Sequence, residues 1–224
     1  MRMTSIKPLM ESDFVAHYGI QVSPVADVIS AGSIQFDLDD MPSPVQLMAA
    51  GEGVVSLSND THGTIEVLAY EHFVNQCTKP SSFLNGRRKC DYMLVHRADR
   101  GYVMLIELTS ALGTAENLKK PIDRYPGGKN EKCEYQLAST LGDLLAVPNI
   151  NTYLIAKTHR VCLMAYRVNP HTDPDYLMKH PFERYLKVES KATAEDGALI
   201  PCLAINSLGF EYRRISHDYS FRLA

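Results

Sequence analysis

The amino-acid sequence predicts an α/β protein whose mixed β-sheet is flanked by helices on both faces. The first observation is the order of its periodic segments, which read helix, strand, strand, helix, helix, strand and strand within about 100 residues. The second is that the segments 91–96 and 101–109 are apolar on both faces. Strands of this kind lie in the middle of a sheet that is covered on both sides, so a β-sandwich and a helical bundle are excluded.

Residues 1–60 are predicted to form an N-terminal arm or small lobe that is part of the same unit. Pro24, Pro42 and Pro44 break this region into short pieces. Ser43 and Pro44 are residue types of a helix N-cap and first helical position. Whether the region serves a partner chain stays open. The elements expected here are a helical turn at 13–18, a helix at 43–50 and a strand at 53–58.

Residues 61–170 are predicted to form the core of the fold. Apolar residues recur near helical spacing at 64–77 and form a clean stripe at 131–146, where Pro148 ends the helix. The other elements expected here are a helix at 114–124 and strands at 91–96, 101–109, 151–156 and 161–168.

Residues 171–224 are predicted to add a C-terminal helix and an edge strand that pack on the core. The helix is expected at 175–188, where apolar residues form a stripe. The strand is expected at 199–205, and Pro201 confines it to the edge of a sheet. Three aromatic residues near the end favour an oligomer interface: Tyr212, Tyr219 and Phe221.

The bulk composition is that of an ordinary globular chain. Its 224 residues are 45% hydrophobic and 22% charged, enough for one sizeable core or a domain with an appended lobe. The net charge of -3 gives no general attraction to nucleic acid, so any such contact has to come from a local basic patch.

The cysteines and the apolar runs predict a cytoplasmic protein. The five cysteines are an odd number, widely spaced and without a Cys-x-x-Cys pair, so we expect reduced, mostly buried thiols and no zinc site. No run of about 18 apolar residues predicts a membrane span, and the first residues lack the apolar region of a signal peptide.

The two central strands predict a hairpin with a defined register. The polar loop 96–101 ends in Gly101, which supplies the freedom for the turn. Folding the strands back symmetrically makes Asp91 and Glu107 cross-strand neighbours, about 5 Å apart on an otherwise apolar face. Two carboxylates so placed are costly unless something positive lies between them. The opposed pairs are Val95–Val103, Met93–Leu105 and Asp91–Glu107.

A divalent cation is one way to stabilise that pair. Mg2+ takes one or two carboxylates and completes its shell with waters and phosphate oxygens, and it can then activate a water for attack on a phosphodiester. The alternative is that both acids lie at strand ends and point into solvent, or pair with Arg87, Arg88 or Lys89.

The order and spacing of four short motifs resemble those of the PD-(D/E)xK nuclease superfamily. The motifs are Cys90-Asp91-Tyr92 on the first strand, Ile106-Glu107-Leu108 on the second, and Gln136-Leu137 and Thr140-Leu141 on the helix that follows. The resemblance covers roughly residues 70–168. It implies the restriction-endonuclease-like fold, a Mg2+ or Mn2+ cofactor and phosphodiester hydrolysis, with DNA favoured over RNA as the substrate. It also implies a bacterial or mobile-element defence system as the context.

The resemblance also implies roles for individual residues. Asp91 and Glu107 would be the metal ligands, Glu71 the occasional acid on the preceding helix, and Gln136 the polar residue on the following helix. Basic residues near the pair predict contacts to nucleic acid, together with Gln136. These basic residues are Arg87, Arg88, Lys129 and Lys132.

The chain departs from the superfamily pattern at Thr109, where the pattern has a catalytic lysine. In one interpretation the lysine has migrated. The symmetric register pairs Lys89 with Thr109, and Lys129 and Lys132 are further candidates. In the other interpretation the site has decayed, and the fold acts as a nucleic-acid-binding or structural subunit of a larger complex.

Overall fold

The computed structural model shows a mixed α/β architecture built on two β-sheets. The large sheet has seven strands in the order β1-β4-β5-β6-β7-β9-β8, and the small sheet has three in the order β10-β3-β2. The residues that the structure describes are 5–39, 45–60, 63–77, 88–97, 101–169 and 197–223.

The strands of the large sheet combine antiparallel and parallel pairing. β1, β4, β5 and β6 pair antiparallel in succession, whereas β6, β7 and β9 are parallel neighbours. The strand bounds are β1 Val28–Ala31, β2 Gln35–Leu38, β3 Val55–Asn59, β4 Ile65–Ala69, β5 Tyr92–His96, β6 Tyr102–Leu112, β7 His159–Asn169, β8 Ala198–Leu199, β9 Glu211–Ser216 and β10 Ser220–Leu223.

The first helix, α1, consists of three contiguous parts with a π-helical centre: Ile6–Pro8, Leu9–Phe14 and Val15–His17. A 3-10 helix spans Ala115–Lys119. The other described helices are α2 Tyr70–Cys77, α3 Gly128–Leu145, α4 Pro148–Ile155 and α5 Leu203–Asn206. None of the described helices combines the length and the apolar character needed to cross a membrane.

The two faces of the large sheet are covered by different kinds of layer. Buried residues of the five described helices lie in one core with alternate residues of β5, β6 and β7. The opposite face packs against the small sheet, through residues such as Phe36, Leu57 and Phe221. The prediction of helices on both faces is therefore wrong for the described residues. Apolar strand faces show that both sides are buried, but they do not show what covers them.

The central hairpin has the register expected from the sequence. Val95 pairs with Val103, and Met93 pairs with Leu105. The strands β3 and β7 and the helix α3 also overlap their predicted positions. The four cysteines 77, 90, 133 and 162 are buried and free, and Cys202 is free and partly buried, as expected.

Three predicted elements of the core differ from the structure. The segment 64–77 is helical only from Tyr70, because its first part is the fully buried strand β4 between β1 and β5. The segment 151–156 belongs to helix α4 instead of a strand, since Pro148 occupies the first turn of a new helix. The helix expected at 114–124 is reduced to the short 3-10 helix. Short apolar runs do not distinguish a strand from a buried helix.

The terminal regions differ more. Residues 45–50 are not helical, and Met48 forms an isolated β-bridge with Asp37. The first helix is longer than the predicted turn, and β1 joins the large sheet. The strand expected at 199–205 is only β8, at the sheet edge, followed by α5. The helix predicted at 175–188 lies outside the described residues.

Candidate active site

Asp91 lies at the point where strand β5 begins and the paired region of the hairpin ends. The last pair is Tyr92 with Ile106. The backbone N–H of Asp91 donates to the carbonyl of Ile106 at 3.1 Å. Its carboxylate Oδ2 accepts from the backbone N–H of Leu108 at 2.6 Å. Asp91 is thereby bonded to the residues on both sides of Glu107, which fixes the two acidic residues next to each other.

The start of helix α2 adjoins the same point. The backbone N–H of Glu71 donates to the carbonyl of Asp91 at 3.3 Å. The Glu71 side chain is exposed, so the structure brings the backbone of Glu71 to the acidic pair and directs the residue itself to solvent.

Glu107 is almost completely buried, with 4% of its surface exposed. Its face of the sheet is the helical one, because Leu105, two residues earlier on the strand, and its β7 partner Met164 both belong to that core. The Oε2 atom is buried and accepts no hydrogen bond from the described residues, although the side chain has electrostatic neighbours.

The carboxylates of Asp91 and Glu107 raise the pKa of the same two cysteine thiols. Burial raises the pKa of Cys90 well above its usual value, and the charges of Glu107 and Asp91 raise it further. Burial and the same two charges also raise the pKa of Cys133 on α3. Both acidic side chains therefore contribute to one region of negative potential between the sheet and α3.

Helix α3 fixes the chain just before Asp91. The amide Nε2 of Gln136 donates to the carbonyl of Lys89 at 2.9 Å. The backbone N–H of Cys90 donates to Thr140 Oγ1 at 2.9 Å. Gln136 and Thr140 are four residues apart on the helix and so lie on the same face. That face of α3 forms one wall of the site.

The predicted pairing of Lys89 with Thr109 is not formed. Strand β5 begins at Tyr92, and the chain before Asp91 leaves the edge of β6 to contact α3. Lys89 is partly buried outside any strand. The hairpin register could not be extended to Lys89, because Gln136 competes with β6 for its backbone.

Lys129 instead reaches the edge of β6 that pairs with β5 earlier in the strand. Its ammonium donates to the carbonyl of Ser110. Alternate residues of a strand direct their backbone groups to the same side, so the carbonyl of Ser110 and the N–H of Leu108 lie on one edge. The carboxylate of Asp91 and the ammonium of Lys129 thus flank Thr109 along that edge, at positions about 7 Å apart on the strand.

The remaining predicted nucleic-acid contacts are partly brought together. Lys129, Lys132 and Gln136 are three and four residues apart on α3 and share the face towards the acidic pair. Arg88 is partly buried in the stretch that leads to Asp91. Arg87 lies outside the described residues.

Arg214 was not predicted as a site residue. The register of β6, β7 and β9 aligns it with Met164 and Glu107, so it lies on the same face two strands away. It forms an ion pair with Glu134 of α3 and donates to Tyr212 Oη at 3.0 Å. The sequence did not indicate this strand, because β9 contains two consecutive arginines and no long apolar run.

The acidic pair has the donor set of a magnesium site with few protein ligands. Within the described residues, no group of three or more His, Cys, Asp or Glu side chains is arranged to hold a metal ion. Mg2+ needs only one or two carboxylates when waters and phosphate oxygens complete its shell. The adjacent Asp91 and Glu107, with the buried Oε2 of Glu107, fit that requirement.

Comparisons of the chain with protein-family models, with curated proteins and with solved structures returned no match. Any function is therefore inferred from the geometry of the site and from the sequence motifs.

Proposed function

We propose that this protein is a metal-dependent nuclease that hydrolyses phosphodiester bonds of nucleic acid. The observation that carries the proposal is the hydrogen bond from Leu108 N–H to Asp91 Oδ2, which holds the Asp91 carboxylate at the backbone next to the buried residue Glu107. A pair of this kind is the minimal protein contribution to a Mg2+ or Mn2+ site.

The order of elements supports a restriction-endonuclease-like fold of the PD-(D/E)xK type. Helix α2 precedes the hairpin, Asp91 adjoins its first strand, and Glu107 lies on its second strand. Helix α3 then crosses over to β7, which is parallel to β6. This is the order on which the resemblance of the sequence motifs rests.

The side chains divide the work of hydrolysis between them. Asp91 and Glu107 would hold the ion, which supplies an activated water and stabilises charge on the phosphate. Lys129 supplies the positive charge that Thr109 lacks, because its ammonium already lies at the β6 edge beside Thr109. Gln136 holds the backbone of Lys89 in place before Asp91.

The surroundings of the site and the cysteines support the proposed partners and compartment. Arg88, Lys129 and Lys132 form a local basic region in a chain of net charge -3, which supports nucleic acid as substrate, with DNA favoured over RNA. Free, buried cysteines support a cytoplasmic location. Of the three aromatic residues expected at an oligomer interface, Tyr212 and Phe221 are buried within the chain, so a homo-oligomer has no support from the described residues. A partner protein and a role in a bacterial or mobile-element defence system rest on the sequence alone.

A second candidate is a catalytically inactive nuclease fold that binds nucleic acid or serves as a subunit of a larger complex. Two observations favour it: Thr109 carries no charge, and Glu107 is only 4% exposed. Glu107 is too buried for a hydrated ion and a phosphate to reach it directly, so they would have to approach past the partly buried Asp91.

Cleavage of mixed DNA and RNA substrates with Mg2+, Mn2+ or EDTA separates the two candidates. The proposal expects metal-dependent cutting that is lost in Glu107→Ala and reduced at least tenfold in Lys129→Met. Arg222→Met is the matched control, since Arg222 lies on β10 of the small sheet, away from the acidic pair, and pairs with Asp60 at 2.6 Å. No cutting by the wild type, together with no calorimetric binding of Mn2+, would leave the inactive fold as the better explanation.

A further inference from the structure

A tight turn between the 3-10 helix and α3 presents an arginine at its tip. Ile122 and Tyr125 form an isolated β-bridge with backbone hydrogen bonds of 3.1 and 2.8 Å. Asp123, at the tip, has a φ of 46°, in the left-handed region that Asp tolerates better than most residues. The bridge holds the following residue, Arg124, in a defined position.

Arg124 lies against two tyrosine rings. The centre of its guanidinium is 5.4 Å from the ring centroids of both Tyr125 and Tyr135. Its Nε and Nη2 also donate to the hydroxyl of Tyr125 at 3.3 and 3.2 Å. The guanidinium is thereby fixed in orientation by Tyr125 and by a ring of α3.

The outer part of this cluster is open to solvent. Tyr125 is 4% exposed and lies at the bottom of the cluster, whereas Tyr135 is 49% exposed and Arg124 is exposed. Arg124 forms no ion pair with a carboxylate of the described residues. An exposed aromatic ring next to an oriented guanidinium is a surface on which a planar, electron-rich group stacks well.

The segment 119–132 is the local basic patch that a chain of net charge -3 needs to bind nucleic acid. Its two acidic residues are Asp123 and Glu131, and the carboxylate of Glu131 accepts from the N–H of Gly127 at 2.7 Å. Lys119 pairs with Glu116. The segment has five basic residues: Lys119, Lys120, Arg124, Lys129 and Lys132.

We propose that Arg124 and Tyr135 form a stacking site for a nucleobase of single-stranded nucleic acid, with Lys120 and Lys132 contacting its phosphates. Stacking on an aromatic ring is tolerant of sequence, and it requires a base whose face is accessible, which a duplex does not offer. This inference rests on the proposed function in that it names the strand type that the nuclease binds.

The position of the cluster on α3 connects it to the acidic pair. Tyr135 follows Lys132 by three residues and immediately precedes Gln136, whose amide holds Lys89. A helix with its side chains is about 10 Å across, so a base stacked on Tyr135 lies roughly one helix diameter from the site. A single strand can span that distance and reach the carboxylates.

Fluorescence anisotropy in EDTA tests binding without cleavage. The probes are a 20-nucleotide single-stranded DNA of mixed sequence, the RNA of the same sequence and the corresponding DNA duplex. We expect the single strands to bind more tightly than the duplex. Tyr135→Ala is expected to weaken single-strand binding about tenfold, whereas Tyr135→Phe changes it less than twofold. Arg124→Lys keeps the charge but loses the planar stack, so it is expected to weaken binding about threefold with an unchanged salt dependence.

Arg222→Ala is the matched control for loss of a charge, since Arg222 lies on β10 of the small sheet and pairs with Asp60 at 2.6 Å. It should bind within twofold of the wild type. Preferred binding of the duplex, no binding of either single strand, or unchanged binding by both Tyr135→Ala and Arg124→Lys would overturn the stacking site. Binding that depends on Tyr135, with DNA, with RNA or with both, supports the stacking site. The single strand that binds more tightly identifies the type of nucleic acid that the site prefers.

The nuclease and the stacking site can fail independently. Glu107→Ala should still bind single strands in EDTA, and its binding should still weaken when Tyr135→Ala is added, because Glu107 lies outside the stacking site. Binding that depends on Tyr135 without any metal-dependent cutting would reject catalysis and keep the stacking site. Metal-dependent cutting together with single-strand binding that is unchanged in Tyr135→Ala would keep catalysis and reject the stacking site. Far-ultraviolet circular dichroism during heating shows that each variant is folded.

Discussion

The carboxylate of Asp91 accepts a hydrogen bond from the backbone N–H of Leu108 at 2.6 Å. This bond takes the place of a backbone pair at the end of the hairpin, where β6 continues and β5 has not yet begun. One acidic side chain thus completes the edge of β6 and lies beside Glu107. Asp91 therefore has a structural role at this edge in addition to the proposed metal-binding role, and the two roles have to be measured separately.

Two substitutions of Asp91 separate these roles. Asp91→Ala removes the acceptor and the charge, and we expect the free energy of unfolding to fall by about 1–3 kcal/mol because a strand-edge N–H loses its partner. Asp91→Asn keeps an oxygen for Leu108 and is expected to lose less than half as much. Both variants should lose Mn2+ binding in calorimetry. Urea unfolding gives the stabilities, and equal losses for both variants would contradict the proposed role of the hydrogen bond.

Binding of Mn2+ should stabilise the folded chain through Glu107. A ligand at 100 times its dissociation constant raises the free energy of unfolding by about 2.7 kcal/mol when it binds only the folded state. We expect this increase in the wild type and its loss in Glu107→Gln, which keeps the shape of the side chain. Glu71→Gln is the control, because the exposed Glu71 side chain should leave the increase unchanged. Thermal unfolding with and without Mn2+ measures all three, and a loss in Glu71→Gln would instead make Glu71 a third ligand.

Gly128 is required where the 3-10 helix passes the start of α3. Its φ is 70°, and an added Cβ would meet the backbone of Leu118 and Lys120. Gly128→Ala is therefore expected to lower the free energy of unfolding by about 2–4 kcal/mol and to displace the neighbouring Lys129.

Gly142 provides the matched control within the same helix. It is exposed, and an added Cβ would meet nothing within 4 Å. Gly142→Ala is expected to raise the free energy of unfolding by up to about 1 kcal/mol, since alanine favours a helix more than glycine does. Chemical denaturation measures both changes, and a harmless Gly128→Ala would show that the loop adapts without strain.

His96 makes stability depend on pH. Burial lowers the pKa of His96 from its usual 6.5, and the charge of Lys157 lowers it further. Below about pH 6.5 the unfolded chain binds a proton at this position that the folded chain does not, so stability is complete above that pH and falls as the pH is lowered. The slope from one such group is at most about 1.4 kcal/mol per pH unit.

Comparison with His96→Asn isolates the contribution of this residue. The free energy of unfolding of the wild type minus that of the variant is expected to decrease from pH 7 to pH 5. Urea denaturation at each pH measures the difference, in which the other titrating groups cancel. A difference that is independent of pH would show that folding does not lower the pKa of His96.

Local patterns predicted the parts of the fold in which neighbours in sequence are neighbours in space. The hairpin register followed from two apolar runs and a short loop with Gly101, and the structure has Val95 opposite Val103. Strand β4 was predicted as helix because Val67 and Leu68 fit both the helical and the strand spacing of apolar residues. Only the neighbouring strands of the sheet determine that this segment is a strand. Strand β9 was not predicted, because Arg213 and Arg214 interrupt its apolar residues and its pairing with the distant strand β7 is not visible in the sequence.

The sequence by itself determined the α/β class, the hairpin and the adjacency of Asp91 and Glu107, because a short turn leaves few registers that keep the apolar residues buried. The tertiary structure alone decided that Lys129, and not Lys89, reaches the β6 edge beside Thr109. It also decided that a small β-sheet covers the second face of the large sheet. Such choices depend on contacts between distant segments, where competing partners with similar local preferences are selected only by packing of the whole chain.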